Sequence, residues 1–313
     1  MSIIYDLIIL GAGPAGLSAG LYAGRSRLNT LIIEKSLDGG QAAITDEIEN
    51  YPGSLANETG PSLVARMSAQ VDKFGATRVS DEVIDVDFSN VIKKVICDKA
   101  EYLAKSIIIA TGANPRLIGC PGEKDYKGKG ISYCATCDGA FFEDLDIYVI
   151  GGGDSAIEEA LYLTRFGKKV TIIHRRDELR AVKSLQEKVF NNEKVDFLWN
   201  SVVKEFKGED GILNSMLIKN VKTGVITEIT ASEEDGVFGV FVFIGYIPNT
   251  KLFKGKVEFK DGYIIGNEDM ATNIEGVFVA GDCRLKSLRQ VVTATSDGAI
   301  AAIQADKYLS DLK

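Results

Sequence analysis

The chain has 313 residues, 45% hydrophobic and 26% charged, a globular profile too long for one core and suited to two domains. A net charge of −8 argues against nucleic acid or an anionic membrane as the main partner. Five cysteines, sparse and odd in number, exclude a secreted disulfide framework and point to the cytoplasm, and no apolar run reaches membrane-span length.

Residues 1–10 carry Asp6 and no basic region, so they read as a strand and not as a signal peptide. Gly11-Ala12-Gly13-Pro14-Ala15-Gly16 follows the apolar run and opens a helical stretch to about Gly24. Strand, G-x-G-x-x-G, helix is the context of a dinucleotide turn. Gly11 allows the tight turn, Gly13 lets backbone approach a pyrophosphate, and Gly16 lets the helix close on the strand. The anion then sits on the helix N-terminus. The next strand, 30–33, ends at Glu34, an acid placed to accept from both hydroxyls of an unphosphorylated ribose.

Gly39-Gly40-Gln41 and Glu49-Asn50-Tyr51-Pro52-Gly53 read as turns. Residues 61–74 read as an amphipathic helix with Leu63, Val64, Met67, Val71 and Phe74 on one side. Short alternating strands fill 77–109, and the last ends in Ala110-Thr111-Gly112, small enough for a cofactor to lie against backbone.

Cys134-Ala135-Thr136-Cys137-Asp138 is the chemical centre of the sequence. Cys-x-x-Cys beside a βαβ pattern is a redox signal. Thiol–disulfide exchange moves protons with electrons, and an acid directly after the second cysteine is placed to carry one. A zinc site would need a second ligand pair, whereas Cys97, Cys120 and Cys283 are scattered singly and the chain has one histidine. No metal is expected.

A strand at 147–150 then leads into Gly151-Gly152-Gly153-Asp154-Ser155-Ala156 and a helix over 155–166, with Gly167 suited to its C-cap. This is a second G-x-G-x-x-A unit. Counted from the first glycine of each unit, Glu34 and His174 share one register, and Arg175, Arg176 and Arg180 follow the histidine. A carboxylate there rejects a 2′-phosphate and guanidinium groups bind one. The first unit is therefore expected to hold an adenosine with a free ribose, and the second NADPH. Residues 195–230 read as a strand meander with a hairpin at Lys222-Thr223-Gly224. A strand at 237–244 and a turn at 245–249 follow. Asp282 closes a further strand–turn, where a polar group faces the ligand crevice of an open α/β sheet. The last helix opens near Leu288-Arg289-Gln290-Val291-Val292 and runs towards Leu309.

In this order and over the whole chain, these motifs resemble the low-molecular-weight bacterial thioredoxin reductases. The resemblance implies an α/β fold of two Rossmann-like (three-layer β/β/α) dinucleotide-binding domains, one inserted in the other. Residues 1–115 and 245–313 would form the FAD domain and 116–244 the NADPH domain with the redox pair. It implies FAD contacts from Gly11, Gly13, Pro14, Ala15, Gly16, Glu34, Lys35, Gly39, Gly40, Gln41, Asn50, Ala110, Thr111, Gly112, Asp282, Arg289, Gln290 and Val291. NADPH would meet Gly151, Gly153, Asp154, Ser155, Ala156, His174, Arg175, Arg176 and Arg180. Cys134 and Cys137 would be the working disulfide, with Cys137 facing the flavin and Asp138 donating and accepting the proton.

The implied reaction takes hydride from NADPH to FAD and then reduces the Cys134–Cys137 disulfide and a thioredoxin-fold protein, in a homodimer. The alternatives are a flavoprotein that feeds a peroxidase, a ferredoxin-driven relative, and a non-catalytic nucleotide-binding redox sensor. The first carries extra N-terminal thioredoxin-like domains, for which Gly11 leaves no room. The second lacks an intact NADPH motif. The third has no need of Asp138 beside the pair.

Overall fold

β1 (Ile4–Leu10) is buried on both faces, with Leu7 and Ile9 turned to one core and Ile8 and Leu10 to another. The computed structural model describes residues 3–45, 48 and 50–312. Met1 and Ser2 of the N-terminal run, and Glu49 of the expected turn, lie outside them. α1 (Pro14–Arg25) starts at a proline, whose fixed φ and missing N–H suit a first helical turn. β2 (Thr30–Glu34) and α2 (Gly60–Lys73) follow, the latter closed by a Thr59–Ser62 capping box. β3 (Thr77–Ser80), β4 (Val83–Asp87), β5 (Lys93–Cys97) and β6 (Glu101–Ile109) complete the first run of strands. The chain leaves the first of its two units within β7 (Ala113–Pro115).

The second unit, Pro115–Tyr246, opens with β8 (Ile131–Ser132) and a one-turn α3 (Ala135–Asp138). β9 (Asp146–Ile150), α4 (Asp154–Leu163), β10 (Lys169–Ile173), α5 (Lys183–Phe190) and β11 (Val195–Leu198) alternate as βαβαβ. β12 (Ser201–Glu209), β13 (Ile212–Asn220) and β14 (Ile226–Thr230) form an antiparallel meander, and β15 (Gly239–Val242) returns to the main sheet. That sheet is parallel in the order β11-β10-β9-β15-β8. Ile147, Val149, Val170 and Ile172 pack with α4 and α5 residues on one face; Ile150, Ile173, Val240 and Val242 pack with Phe206, Leu213 and Met216 of the meander on the other. The result is a three-layer β/β/α unit.

The chain re-enters the first unit within β16 (Tyr246–Pro248). β17 (Phe259–Lys260), β18 (Tyr263–Ile264), β19 (Val277–Val279) and α6 (Val291–Asp311) end it. The main sheet runs β3-β2-β1-β6-β5-β4 with β19 added beside β6. Helices α1 and α6 lie so close that a Cβ on Gly298 would stand 2.1 Å from the Ala15 carbonyl oxygen. Among the described residues no helix is long and apolar enough to cross a membrane.

Three local expectations need correction. Residues 195–198 join the parallel sheet through β10 instead of the meander, because Val195 is buried in the core under α4 and α5. The helix expected to reach 166 stops at Leu163. Gly167 is absent from the positive-φ glycines; it is small because a Cβ there would lie 2.9 Å from Ile147 Cδ1.

Candidate active site

In the second unit, Cys134 and Cys137 are joined as a disulfide at the start of α3, with Cα atoms 5.3 Å apart. α3 is a single turn, which sets two cysteines three residues apart on one side of the chain. Ser132, buried at the end of β8, ties this turn together. Its hydroxyl accepts from the Cys134 N–H at 3.0 Å and donates to the Asp138 carboxylate. The carboxyl group is thus held within the turn that carries the redox pair by a side chain on the sheet, a residue the sequence did not single out. The three other thiols are poor candidates for exchange. Burial pushes Cys97 up to about 12 and Cys120 and Cys283 up to about 11, so they remain thiols near neutrality.

The second glycine turn lies in the same unit. Gly153 is the N-cap of α4 and offers no side-chain cap, so the first amides of the helix are available to an anion. Ala156 is buried beneath the turn, and Ser155 is exposed on the first turn of the helix. Gly151 is at φ 158, and a Cβ there would lie 2.5 Å from Ala156 Cβ. His174 does not project into solvent. It is buried under Gly152, where a Cβ would fall 2.4 Å from its ring, and its Nε2 has no partner. Burial, and then the Arg180 charge, lowers its pKa, so the ring is neutral.

Arg175, Arg176 and Arg180 are exposed on the loop that follows. Two bonds fix that loop to the turn: Arg180 N–H to the Gly152 carbonyl at 2.7 Å, and Val182 N–H to the Asp154 carboxylate at 2.7 Å. Asp154 therefore braces the arginine loop. An edge-on Trp199, 6.4 Å from the His174 ring, packs behind it.

In the first unit the expected residues converge on 11–16. Gly11, at φ 107, brings the turn so close to the end of β6 that a Cβ would lie 2.5 Å from the Ala110 carbonyl oxygen. Gly16 lets α1 pack on the turn itself, 1.9 Å from the Gly11 carbonyl oxygen by the same measure. Pro14 and Ala15 open α1, and nothing stands within 4 Å of where a Gly13 Cβ would be. Glu34 accepts from the Ala12 N–H at 2.9 Å and from Ser36 N–H at 3.1 Å. Gly39 donates to the Ala12 carbonyl at 2.7 Å, which lays Gly40 over Gly13. Gln41 reaches Asn114 at 2.8 Å, and Asn50 reaches Gln290, the N-cap of α6 ahead of Val291, at 3.2 Å. Thr111 donates to the Asn249 carbonyl, and Gly112 accepts from the Asn249 N–H.

Lys35 is turned away, exposed and 3.4 Å from Glu82. Asp282 Oδ1 and Arg289 Nε are buried without partners, and the Arg289 guanidinium stacks 4.2 Å from the Tyr263 ring. Burial raises the Asp282 pKa, while the charges of Lys286 and Arg289 pull it back. Tyr263 and a buried Arg284–Lys286–Asp297 cluster behind Asp282 carried no motif in the sequence.

The family profile of the pyridine nucleotide-disulphide oxidoreductases matches residues 5–298. A thioredoxin reductase of Peptoclostridium litorale is 59% identical over 313 residues, covering 100% of this chain and 99% of the relative. One of Bacillus subtilis (strain 168) is 48% identical over 311 residues, covering 99% and 96%. Among solved structures, the thioredoxin reductase of Streptococcus pyogenes MGAS5005 is 47% identical with a TM-score of 0.92, covering 99% of this chain and 100% of that one. The Lactococcus lactis thioredoxin reductase in its FR conformation is 45% identical with a TM-score of 0.67, covering 98% and 99%.

Proposed function

The chain belongs to the pyridine nucleotide-disulphide oxidoreductase family, and we propose that it is an NADPH-dependent thioredoxin reductase working through Cys134 and Cys137. The observation that carries this reading is the disulfide itself, set beside a carboxylate and in one unit with a phosphate-ready glycine turn.

FAD fits the first unit on two observations. The Asp282 oxygen is buried without a partner, and Gly13 faces open space beside an uncapped helix N-terminus. Glu34 would hold the ribose, the amides after Gly13 the pyrophosphate, and Asp282 a hydroxyl of the chain leading to the ring. NADPH fits the second unit, where Gly153 offers free amides and the loop just after the position that holds an acid in the first unit carries three exposed guanidinium groups. Bound FAD supplies the step between a two-electron hydride donor and a disulfide.

The rest of the chemistry belongs to the chain. Two electrons and two protons open the Cys134–Cys137 bond to two thiols. One thiolate then attacks a disulfide of thioredoxin; the second displaces the mixed disulfide, and the protein pair closes again. Asp138, oriented by Ser132, takes a proton from the attacking thiol and returns it to the leaving one. His174 is buried beneath the second glycine turn and plays no part in these transfers. We place the enzyme in the cytoplasm as a homodimer, a reading supported by its sparse cysteines and by the family.

The test is NADPH oxidation with oxidised thioredoxin, repeated on Cys134→Ser and Cys137→Ser. Each variant is expected to lose thioredoxin reduction while NADPH still bleaches the flavin. A serine variant that turned over thioredoxin would refute the assignment, and a chain that bound no flavin would refute the class.

A further inference from the structure

Asp297, on the second turn of α6, is buried at 5% exposure, and one carboxylate there serves four donors. Gly281 N–H reaches it at 3.0 Å, Arg284 through Nε at 3.0 Å and Nη2 at 3.3 Å, and Lys286 Nζ at 2.8 Å. All four come from the loop that carries Asp282. The Lys286 side chain is only 7% exposed. A buried ammonium must be paired, because an isolated one is far costlier than a paired one. Within the same loop Asp282 has a buried oxygen with no partner, and the Lys286 charge reaches it. Two carboxylates therefore compete for Lys286, and Asp297 takes it together with Arg284, while Arg289, over Tyr263, is the other cation whose charge acts on Asp282.

We propose that Asp297 is a positioning residue for the cofactor: by engaging Arg284 and Lys286 it keeps Asp282 unpaired and able to accept from a hydroxyl of bound FAD. The Gly281 N–H bond adds direction. Gly281, at φ 77, lies where a Cβ would stand 2.9 Å from Ala15 Cβ, so Asp297 also holds the loop against the start of α1. Without the Asp297 charge, Lys286 turns to Asp282, and the hydroxyl acceptor is lost to an internal ion pair. The proposal rests on Asp282 being an FAD contact.

The experiment is FAD titration of the flavin-stripped protein, read by quenching of flavin fluorescence, with an unfolding midpoint for every variant. Asp297→Asn is expected to weaken FAD binding about tenfold or more, the loss of one hydrogen bond to a charged acceptor. Lys286→Met in the Asp297→Asn background removes the competing ammonium and is expected to restore affinity to within about threefold. A folded Asp297→Asn protein with wild-type affinity would overturn the proposal. So would a double variant that stays as weak as Asp297→Asn, since that marks a purely structural role. If Asp297→Asn alone does not fold, the double variant carries the test: it must fold and bind FAD. Asp282→Asn keeps the underlying reading separate, because unchanged affinity there refutes the Asp282 contact and leaves the charge pairing untouched.

Discussion

Replacing Gly152 by alanine adds one methyl group at the point where the second glycine turn lies on His174. The new Cβ would fall 2.4 Å from the ring Cε1 and Nδ1 and 2.7 Å from Cγ. These are not flexible side-chain ends. The ring is 5% exposed, with Trp199 packed behind it, so it cannot simply swing into solvent. Either the turn lifts or the imidazole shifts with the arginine loop that follows it. Overpacking of this kind costs roughly 1–3 kcal/mol. If NADPH binding bears all of it, the KM for NADPH rises by about 5- to 150-fold.

The assay is steady-state NADPH oxidation with thioredoxin, beside flavin content and urea unfolding. The single tryptophan supplies a local reporter, stacked 4.7 Å from Phe197 and edge-on to His174, and its emission is expected to change. Flavin content is expected to stay at wild-type level, because the clash lies in the second unit. An alanine variant with unchanged NADPH KM and an unchanged unfolding midpoint would refute the reasoning.

Replacing Arg175 and Arg176 together by alanine is expected to raise the NADPH KM and spare NADH, each lost phosphate contact costing on the order of 1.5–3 kcal/mol; equal kinetics with both nucleotides in the parent enzyme would contradict it. Ser132→Ala removes the hydroxyl that orients Asp138 and is expected to slow thiol exchange about tenfold while leaving flavin reduction by NADPH intact. On an Asp138→Asn background the same change is expected to add little, and full additivity of the two losses would mean the serine does not act through the carboxylate. The proposed electron path has nicotinamide and disulfide take turns at the flavin, so we expect the inserted unit to turn about the two chain crossings, and a crosslink that locks it with the disulfide at the flavin is expected to stop turnover with NADPH and thioredoxin; full turnover in the locked form rules the rotation out.

The local patterns were legible because their causes are local. A glycine is needed wherever backbone must approach backbone, so Gly11 and Gly16 could be assigned from spacing alone, and in the structure an added Cβ would fall 2.5 Å and 1.9 Å from a backbone carbonyl oxygen at those two positions. The matched register of Glu34 and His174 follows from two copies of one strand–turn–helix. The Cys-x-x-Cys pair and its neighbouring acid are also short-range facts.

What the sequence left open depends on residues far apart in the chain. It placed 195–198 in a meander because a short apolar strand carries no mark of the sheet it joins; burial against Val170 and the helices decided that. It set His174 at the NADPH phosphate end, and only the fold shows the ring buried under Gly152 as a support for the turn. The resemblance set Asp154 among the NADPH contacts, and only the fold shows that its carboxylate also braces Val182. Ser132 and Asp297 carried no signal at all. A serine near a cysteine and an acid in a helix are common; the serine gained meaning once the turn brought it onto Asp138, and Asp297 once the fold buried it against Arg284 and Lys286 of another segment. Periodicity and turn chemistry act over a few residues, whereas the pairing of buried charge is settled only once the chain has folded.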